Sequence, residues 1–282
     1  MDNAKTFLIT GVGKGLGRAL ATAALAAGHR VIGTVRARQD ADEFEALDSV
    51  RAHARVLDVT DHDELTSTVA EAERTLGAID VLVCNAGYGH EGPVEESSME
   101  QLRQQFDVNV FGTVAAIKAV LPAMRSRRSG HVVAVTSMGG LVAFPGIAFY
   151  NGSKFAVEGI LEALGKEVAE FGIRVTAVEP GAFRTDWAGR SMQRAPRAIP
   201  DYDGVFDPIR ARRQQGDGAQ PGDPARAAEA ILQVVEADEP PAHLLLGTDA
   251  LRIVRQGRAA VDRDFEAWQE LSASTDFDVP AT

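Results

Sequence analysis

The chain has 282 residues, of which 45% are hydrophobic and 24% are charged, and this composition excludes a disordered or fibrous protein. A formal net charge of −11 argues against a general binder of nucleic acids or anionic membranes, whose surface would be basic. A chain of this length can bury a large core and fits a single domain over residues 1–282.

Short apolar runs rich in β-branched residues alternate along the chain with longer amphipathic or alanine-rich segments. The runs predict strands at residues 6–10, 30–35, 54–57, 81–84, 131–136, 174–178 and 243–246. The segments between them predict helices at residues 16–27, 40–50, 61–76, 98–110, 113–127, 150–170 and 224–236. Alternating strands and helices need right-handed crossovers, so we expect an α/β fold of the doubly wound Rossmann type, with a parallel seven-stranded sheet and helices on both faces.

The stretch from residue 182 to residue 222 is the least regular part of the chain and predicts a long loop with short helices. Its prolines and clustered arginines are Pro196, Pro200, Pro208, Pro221, Arg210, Arg212 and Arg213. Because it follows the carboxyl end of a strand, where α/β sheets bind ligands, we interpret it as a substrate lid. The alternative is a surface insertion. Residues 249–282 predict a C-terminal helix, at residues 250–268, and a tail.

The single cysteine, the N-terminal sequence and the spacing of the histidines indicate the location of the protein and whether it binds a metal. Cys84 is the single cysteine, which excludes an internal disulfide and favours a reducing, cytoplasmic location. The N-terminal MDNAKTFLIT is not typical of a signal peptide, and no run approaches the ~18 apolar residues of a membrane span, so we expect no membrane association. The histidines show no metal-ligand spacing, and no metal is expected.

A glycine-rich turn, TGVGKGLG at residues 10–17, directly follows the first predicted strand and opens the first predicted helix. Glycines permit the backbone to approach a pyrophosphate closely, and a helix N-terminus offers free N–H groups to it. The turn therefore predicts a dinucleotide site. The second strand ends at Arg36 without an acidic residue, and Lys14 adds a second cation near a 2′-phosphate, which favours NADP(H) over NAD(H).

Tyr150 and Lys154 lie one helical turn apart, so both side chains share one face of the predicted helix. A cation beside a phenol favours the phenolate and lowers the tyrosine pKa, which makes the pair a candidate proton-transfer device. Ser137 ends the fifth predicted strand and can reach the same edge of the sheet.

Taken together and in this order, these motifs resemble the short-chain dehydrogenase/reductase family, in its short single-domain branch. The resemblance rests on the glycine turn, Asp58, Asn85-Ala86-Gly87, Asn109, Ser137, Tyr150 with Lys154, and Pro180-Gly181 followed by Thr185. It implies a catalytic tetrad of Asn109, Ser137, Tyr150 and Lys154. Gly152 departs from the family's usual Tyr-x-Ala-Ser-Lys.

The glycine turn, the cations near it and the same resemblance together indicate which residues hold the cofactor. They are Thr10, Gly11, Gly13, Lys14, Gly15, Leu16, Gly17, Arg36, Asp58, Val59, Asn85, Ala86, Gly87, Tyr150, Lys154, Pro180, Gly181, Phe183 and Thr185. In that arrangement Tyr150 is the general acid-base, Ser137 binds the developing alkoxide, Lys154 lowers the tyrosine pKa and holds the nicotinamide ribose, and Asn109 positions a water.

The resemblance implies an NADP(H)-dependent carbonyl reductase or alcohol dehydrogenase, of a type similar to hydroxysteroid dehydrogenases. Apolar residues predict a wall for a hydrophobic ketone or alcohol: Leu141, Val142, Phe144, Ile147, Phe149, Phe183 and Trp187. Two alternatives are a catalytically silent NADP(H)-sensing regulator and a nucleotide-sugar epimerase. Related enzymes imply a homodimer or homotetramer through the helices at residues 113–127 and 150–170.

Overall fold

A parallel sheet of seven strands forms the centre of the protein, in the order β3-β2-β1-β4-β6-β7-β9. The structure is a computed structural model and describes residues 4–187 and 189–277. The strands of this sheet are β1 (Thr6–Ile9), β2 (Arg30–Val35), β3 (Ala52–Val56), β4 (Val81–Cys84), β6 (Gly130–Val135), β7 (Ile173–Pro180) and β9 (His243–Leu246). A second sheet pairs β5 (Gly89–Glu91) with β8 (Met192–Arg194), also in parallel. The predicted doubly wound fold is confirmed.

Helices cover both faces of the large sheet, because successive strand residues point to opposite faces. In β1, Leu8 packs into one hydrophobic layer, whereas Phe7 and Ile9 pack into the other. The layer of Leu8 is covered by α3 (His62–Leu76), α5 (Thr113–Arg127) and α6 (Ala148–Val168). The opposite layer is covered by α1 (Gly15–Ala26), α2 (Arg38–Glu45) and α8 (Pro224–Glu236). The remaining helices are α4 (Met99–Phe106), α7 (Asp203–Gln215), α9 (Thr248–Ala267) and α10 (Gln269–Ala273).

The predicted helix over residues 98–110 is wrong in its second half. Ser98 and Gln101 do form a capping box at its start, as the spacing predicts. The α-helix ends at Phe106, however, and a π-helical segment, Asp107–Gly112, joins it to α5. Such π turns shift the side chains that follow them and are frequent at functional sites. Here the segment contains Asn109.

The lid region, residues 182–222, is more ordered than the sequence predicts. It contains the strand β8 and the helix α7, which spans 13 residues and includes Pro208. Its two ends are tied together, since the Arg184 N–H donates to the Gly222 carbonyl and the Gly222 N–H donates to the Ala182 carbonyl, each over 3.0 Å. The two ends of the lid therefore lie side by side, and the lid forms a loop whose ends are close together.

Glu96, which follows β5, holds the lid in place through several contacts. The Glu96 carboxylate accepts hydrogen bonds from the backbone N–H groups of Ala198 and Ile199, at 2.7 and 2.6 Å. It also pairs with Arg197 at 2.8 Å. Nothing in the pattern of residues 91–96 predicts these contacts, because the partners lie about a hundred residues apart.

At the C-terminal end, the helix predicted at residues 250–268 is α9, and residues predicted as tail form the short helix α10. The last part of the predicted tail, residues 278–282, lies outside the described residues.

In the part of the chain that the structure describes, one helical stretch, Met99–Arg127, is long and apolar enough to cross a membrane. Its second half is α5, whose residues Ala116, Ile117, Val120 and Met124 are all buried in the core. Core packing accounts for the apolar face of this helix.

Candidate active site

A cavity of about 1300 Å³ lies at the carboxyl edge of the large sheet. The carboxyl ends of parallel strands meet there, so loops that are far apart in sequence contribute to one wall. The predicted site residues that line it are Gly11, Gly13, Lys14, Gly15, Leu16, Arg36, Asp58, Val59, Asn85, Ala86, Gly87, Ser137, Tyr150, Lys154, Pro180, Gly181, Phe183 and Thr185. Three predicted residues, Thr10, Gly17 and Asn109, are not part of the wall.

Thr10 stabilises the edge of the cavity from behind. Its buried hydroxyl accepts hydrogen bonds from the backbone N–H groups of Asn85 and Ala86, at 2.9 and 3.0 Å. The Asn85 side-chain amide in turn donates to the carbonyls of Thr10 and Gly11, both at 2.9 Å. These bonds hold the loop after β1 against the loop after β4, which is a positioning role.

Gly17 is required by packing. A Cβ at this position would lie 2.3 Å from the Asn85 Nδ2 and 2.4 Å from the Gly11 carbonyl oxygen, both closer than real contacts allow. Gly11 and Gly15 have positive φ angles of 76° and 62°, which favour glycine. The turn thus leaves its backbone open to the cavity at the start of α1, and this cradle fits a dinucleotide pyrophosphate.

The end of the cavity near β2 and β3 carries charges of both signs. Arg36 is exposed at the end of β2, and Asp58 follows β3. Hydrogen bonds from the backbone N–H and the hydroxyl of Thr60, at 3.0 and 2.8 Å, and the nearby Arg36 hold the pKa of Asp58 below its usual value. Asp40 also lines the cavity, and its carboxylate would lie 3.5 Å from a Cβ at Gly13. The motifs in the sequence did not predict Asp40 at this wall.

Ser137 and Tyr150 both line the cavity, and their side chains are close enough to form a hydrogen bond with each other. A Cβ at Gly139 would lie 3.2 Å from the Ser137 Oγ and 3.4 Å from the Tyr150 Cε1. The Ser137 hydroxyl accepts a hydrogen bond of 2.9 Å from the Gly139 N–H, which fixes its orientation after β6. Tyr150 lies in the first turn of α6 and is only 6% exposed.

Burial dominates the electrostatics of the catalytic pair. It raises the pKa of Tyr150 to about 12, and a hydrogen bond with Ser137 acts in the opposite direction. Burial also lowers the pKa of Lys154 to about 8, against the effect of Glu158. The Lys154 Nζ lies 5.8 Å from the centre of the Tyr150 ring. A pKa of about 12 favours the protonated phenol at neutral pH, and the lowering of this pKa by Lys154 stays a prediction.

Asn109 lies behind the catalytic pair rather than in the cavity wall. Its amide donates to the Tyr88 carbonyl and to the Ser153 hydroxyl, each over 3.1 Å, and its oxygen accepts from the Tyr88 N–H. A Cβ at Gly87 would lie 3.0 Å from the Asn109 Oδ1 and 3.8 Å from the Lys154 Nζ. Asn109 and Lys154 therefore both lie beside Gly87. The positioning of a water by Asn109 stays a prediction.

Four of the seven predicted apolar wall residues line the cavity: Phe144, Ile147, Phe183 and Trp187. The Trp187 ring lies 5.0 Å from the Tyr150 ring, centre to centre. Two others point elsewhere, since Val142 packs against α9 at Gly257 and Phe149 stacks on His90. In an irregular loop the side chains do not alternate regularly between two sides, so the sequence could not predict which of these residues face the cavity.

The lid adds polar residues to the same wall, and no motif in the sequence assigned them to the site. They are Asp186, Arg190, Ser191, Gln193, Arg212, Arg213 and Gln220. Lys14 of the glycine turn also contacts the lid, through an ion pair of 3.9 Å with Asp186.

Glu158, Glu179 and His243 have side-chain ligand atoms that all lie within 4.8 Å of one another. The His243 Nδ1 and the Glu179 Oε1 are 2.6 Å apart, which is a hydrogen-bond distance. Burial raises the pKa of Glu158 to about 7 and also raises the pKa of Glu179. His243 and Glu179 are therefore hydrogen-bonded, and Glu158 of α6 lies 3.6 Å from the same imidazole.

Comparison with known proteins extends the resemblance along the chain. The family model described as short chain dehydrogenase matches residues 5–195. The oxidoreductase BOA17 of Botryotinia fuckeliana is 36% identical over 272 residues, which are 96% of this chain and 99% of that protein.

Two similar proteins have names that state a reaction. The NADPH-dependent 3-dehydrocapnine reductase of Ornithobacterium rhinotracheale is 34% identical over 71% of this chain and 73% of its own length. The 3-ketodihydrosphingosine reductase of Bacteroides thetaiotaomicron is 35% identical over 85% of this chain and 87% of its own length. Among solved structures, a short-chain dehydrogenase from Streptomyces avermitilis has a TM-score of 0.91 and 40% identity, over 98% of this chain and 99% of that chain.

Proposed function

Because this chain belongs to the short-chain dehydrogenase family of oxidoreductases, we propose that it interconverts a carbonyl and a secondary alcohol with NADP(H), using Tyr150 as the general acid-base. The observation that carries the proposal is the contact between Ser137 and Tyr150 in the wall of a cavity that the glycine turn also lines. A nicotinamide dinucleotide supplies or accepts the hydride when it is bound.

Side chains of the protein donate and accept the proton in this reaction. In the reductive direction the Tyr150 hydroxyl donates its proton to the carbonyl oxygen, and a raised pKa keeps that proton in place beforehand. The Ser137 hydroxyl donates a hydrogen bond to the same oxygen as negative charge develops there. In the oxidative direction Tyr150 must be a base, and the ammonium of Lys154 on the same helix face favours its phenolate form.

The preference for NADP(H) is supported by the cations at the cavity wall. Arg36 can bind a 2′-phosphate with its guanidinium fork, and Lys14 can add a second charge. The similar enzyme of Ornithobacterium rhinotracheale is NADPH-dependent by name. Asp40 opposes this preference, since a carboxylate disfavours a 2′-phosphate.

A long apolar carbonyl compound is the proposed substrate class. Phe144, Ile147 and Trp187 supply an apolar wall beside Tyr150. Two relatives are reductases whose names specify a keto or dehydro form of a larger molecule.

Self-association is proposed through the segment that leads into α5 and through α6. Phe111 and Phe155 are 51% and 44% exposed there, although both side chains are large and apolar. Light scattering on the purified protein tests this, with the mass of two or four chains expected and the mass of one chain contradicting it.

Replacing Tyr150 by phenylalanine tests the proposed mechanism. NADPH oxidation is measured with a panel of aliphatic, aromatic and steroidal ketones, and NADPH binding is measured by calorimetry. Tyr150→Phe should lower kcat by about a hundredfold to ten-thousandfold and leave NADPH binding intact. Tyr202→Phe is a matched control, because the Tyr202 hydroxyl bonds to Glu95 on the exposed side of the lid.

Full turnover by Tyr150→Phe would contradict the mechanism. NADPH binding by the wild-type protein without turnover of any ketone would instead favour the NADP(H)-sensing regulator.

A further inference from the structure

Glu91 in β5 is a buried carboxylate, 1% exposed, that faces several arginines of the lid. The Arg210 Nε lies 2.7 Å from its Oε1, and the Arg213 Nη1 lies 3.3 Å from its Oε2. The Arg194 Nε approaches the same carboxylate at 3.6 Å. The single carboxylate of Glu91 therefore pairs with more than one guanidinium.

The helix α7 carries a third arginine beside these two. The Arg212 side chain forms no ion pair or hydrogen bond with any residue that the structure describes. Arg210 and Arg213 share the one carboxylate of Glu91, so the three guanidinium groups of α7 outnumber the carboxylate that pairs with them. The Arg210 Nη2 is buried and without a hydrogen-bond partner among the described residues.

Two of these arginines line the cavity that contains Tyr150. The Arg213 Nη2 donates to the Pro145 carbonyl over 3.0 Å, within the loop that also supplies Phe144 and Ile147 to the wall. The positive charge is therefore on the substrate side of the cavity, whereas Arg36 lies at the end of β2. The lid wall continues with Ser191 and Gln193, which can donate hydrogen bonds.

Each guanidinium beyond the one that balances Glu91 adds like-charge repulsion and a desolvation cost. An anion in the cavity would offset that excess charge. The planar guanidinium matches carboxylate, phosphate and sulfonate oxygens in a bidentate fashion, and it binds them more strongly where water is excluded.

We infer that the substrate is an amphipathic carbonyl compound whose anionic group binds Arg212 and Arg213 while its apolar chain lies along Phe144, Ile147 and Trp187. This inference rests on the proposed function and makes the substrate class narrower. A neutral hydrophobic ketone would leave the charge of α7 unmatched.

A series of long-chain keto acids tests the inference, with the ketone at different distances from the carboxylate and each acid paired with its methyl ester. For the best acid the wild-type KM should be about tenfold below that of its ester, and added salt should raise only the KM of the acid. Arg212→Gln should raise the KM of the acid by about threefold to tenfold and leave kcat, the ester KM and the NADPH KM unchanged.

Arg226→Gln is the matched control, since Arg226 is an exposed arginine of α8 that pairs with Asp223 and lies outside the cavity wall. Equal KM values for acids and esters in the wild type, or an equal effect of Arg212→Gln on both, would overturn the inference and leave the proposed function intact.

Direct binding separates the two proposals. A saturated fatty carboxylate and its methyl ester are titrated into the protein by calorimetry, without turnover. Tighter binding of the carboxylate that is lost in Arg212→Gln supports the anionic subsite even if no ketone is reduced. Equal binding of both compounds contradicts it.

Discussion

The Lys154 ammonium donates a hydrogen bond to the Val135 carbonyl over 2.8 Å, so the lysine of the catalytic pair is anchored to the end of β6. This bond fixes the first turns of α6 against the strand that leads into Ser137. The strand end and the helix start therefore position Ser137, Tyr150 and Lys154 as one unit.

The charge of Lys154 should set the alkaline limit of activity. Burial lowers the pKa of Lys154 to about 8, so the ammonium is present below that pH and is lost above it. We expect kcat/KM for ketone reduction to fall as pH rises through about 8. A pH profile of kcat/KM from neutral to alkaline pH measures this, and a flat profile would refute the assignment.

Replacing the same lysine should remove activity. Lys154→Met deletes the cation and the bond to Val135, and we expect a loss of more than about a hundredfold in kcat. Lys166→Met is the matched control, because Lys166 is an exposed lysine of the same helix that pairs with Glu162. Comparable losses in the two variants would mean that the effect is not specific to the site.

The choice of cofactor should follow the cations at the cavity wall. The double variant Arg36→Asp with Lys14→Ala removes both charges and adds a carboxylate beside the existing Asp40. We expect kcat/KM to shift toward NADH, by about tenfold or more relative to NADPH. Steady-state kinetics with both cofactors measures the ratio, and Arg38→Asp, outside the cavity wall, is the control. Unchanged NADPH kinetics would show that the phosphate binds elsewhere.

Two glycines should respond to alanine in opposite directions. Gly17→Ala forces a Cβ against the Gly11 carbonyl, and overpacking of this kind costs about 1–3 kcal/mol of unfolding free energy. Gly152 lies on the exposed side of α6, and its Cβ would first meet Phe106 at 3.9 Å. Gly152→Ala should therefore stabilise the protein by about 0.5–1 kcal/mol. Denaturant unfolding of both variants checks the signs, and destabilisation by Gly152→Ala would be inconsistent with the open space at this position.

The buried acid Glu158 should make stability depend on pH. Its pKa is raised from 4.5 to about 7, so the folded state keeps a proton that the unfolded state releases between these values. Stability from this group is complete below pH 4.5 and is lost as pH rises toward 7. A tenfold difference in proton affinity between the folded and unfolded states is worth ~1.4 kcal/mol, so the loss is on the order of 3 kcal/mol.

Glu158→Gln should flatten this dependence, and the variant should gain stability over the wild type at pH 8 relative to pH 5. Denaturant unfolding at both pH values measures it. Burial also raises the pKa of the neighbouring Glu179, so some slope remains. Glu162→Gln, an exposed glutamate one turn further along α6, is the control. A slope unchanged by Glu158→Gln would assign the dependence to other groups.

Much of the fold could be predicted from the sequence because its causes are local. A buried parallel strand needs a short run of apolar, β-branched residues, and each predicted run overlaps one strand of the large sheet. The glycine turn and the helix that follows it are likewise encoded in adjacent residues. Short strands such as β5 and β8 have three residues each, too few for a periodic pattern.

The candidate site likewise has features that the sequence predicts and features that it does not. Tyr150 and Lys154 could be placed together because one helical turn joins them, and Ser137 because strand ends share one edge of the sheet. Thr10 and Gly17 were predicted to contact the cofactor, yet the structure places both behind the wall, where they hold the loop containing Asn85. A motif shows that a residue is needed near a site without showing which way it faces.

Local sequence patterns were enough to predict the parallel sheet, the dinucleotide cradle and the set of residues that can move a proton. The surroundings of these features depend on long-range packing. Glu91 meets Arg210 and Arg213 from about 120 positions away, and Glu158 of α6 meets His243 of β9. Such contacts form when separate segments are brought to one place by packing, and no local pattern specifies them. The positive wall of the lid is therefore a property of the folded chain.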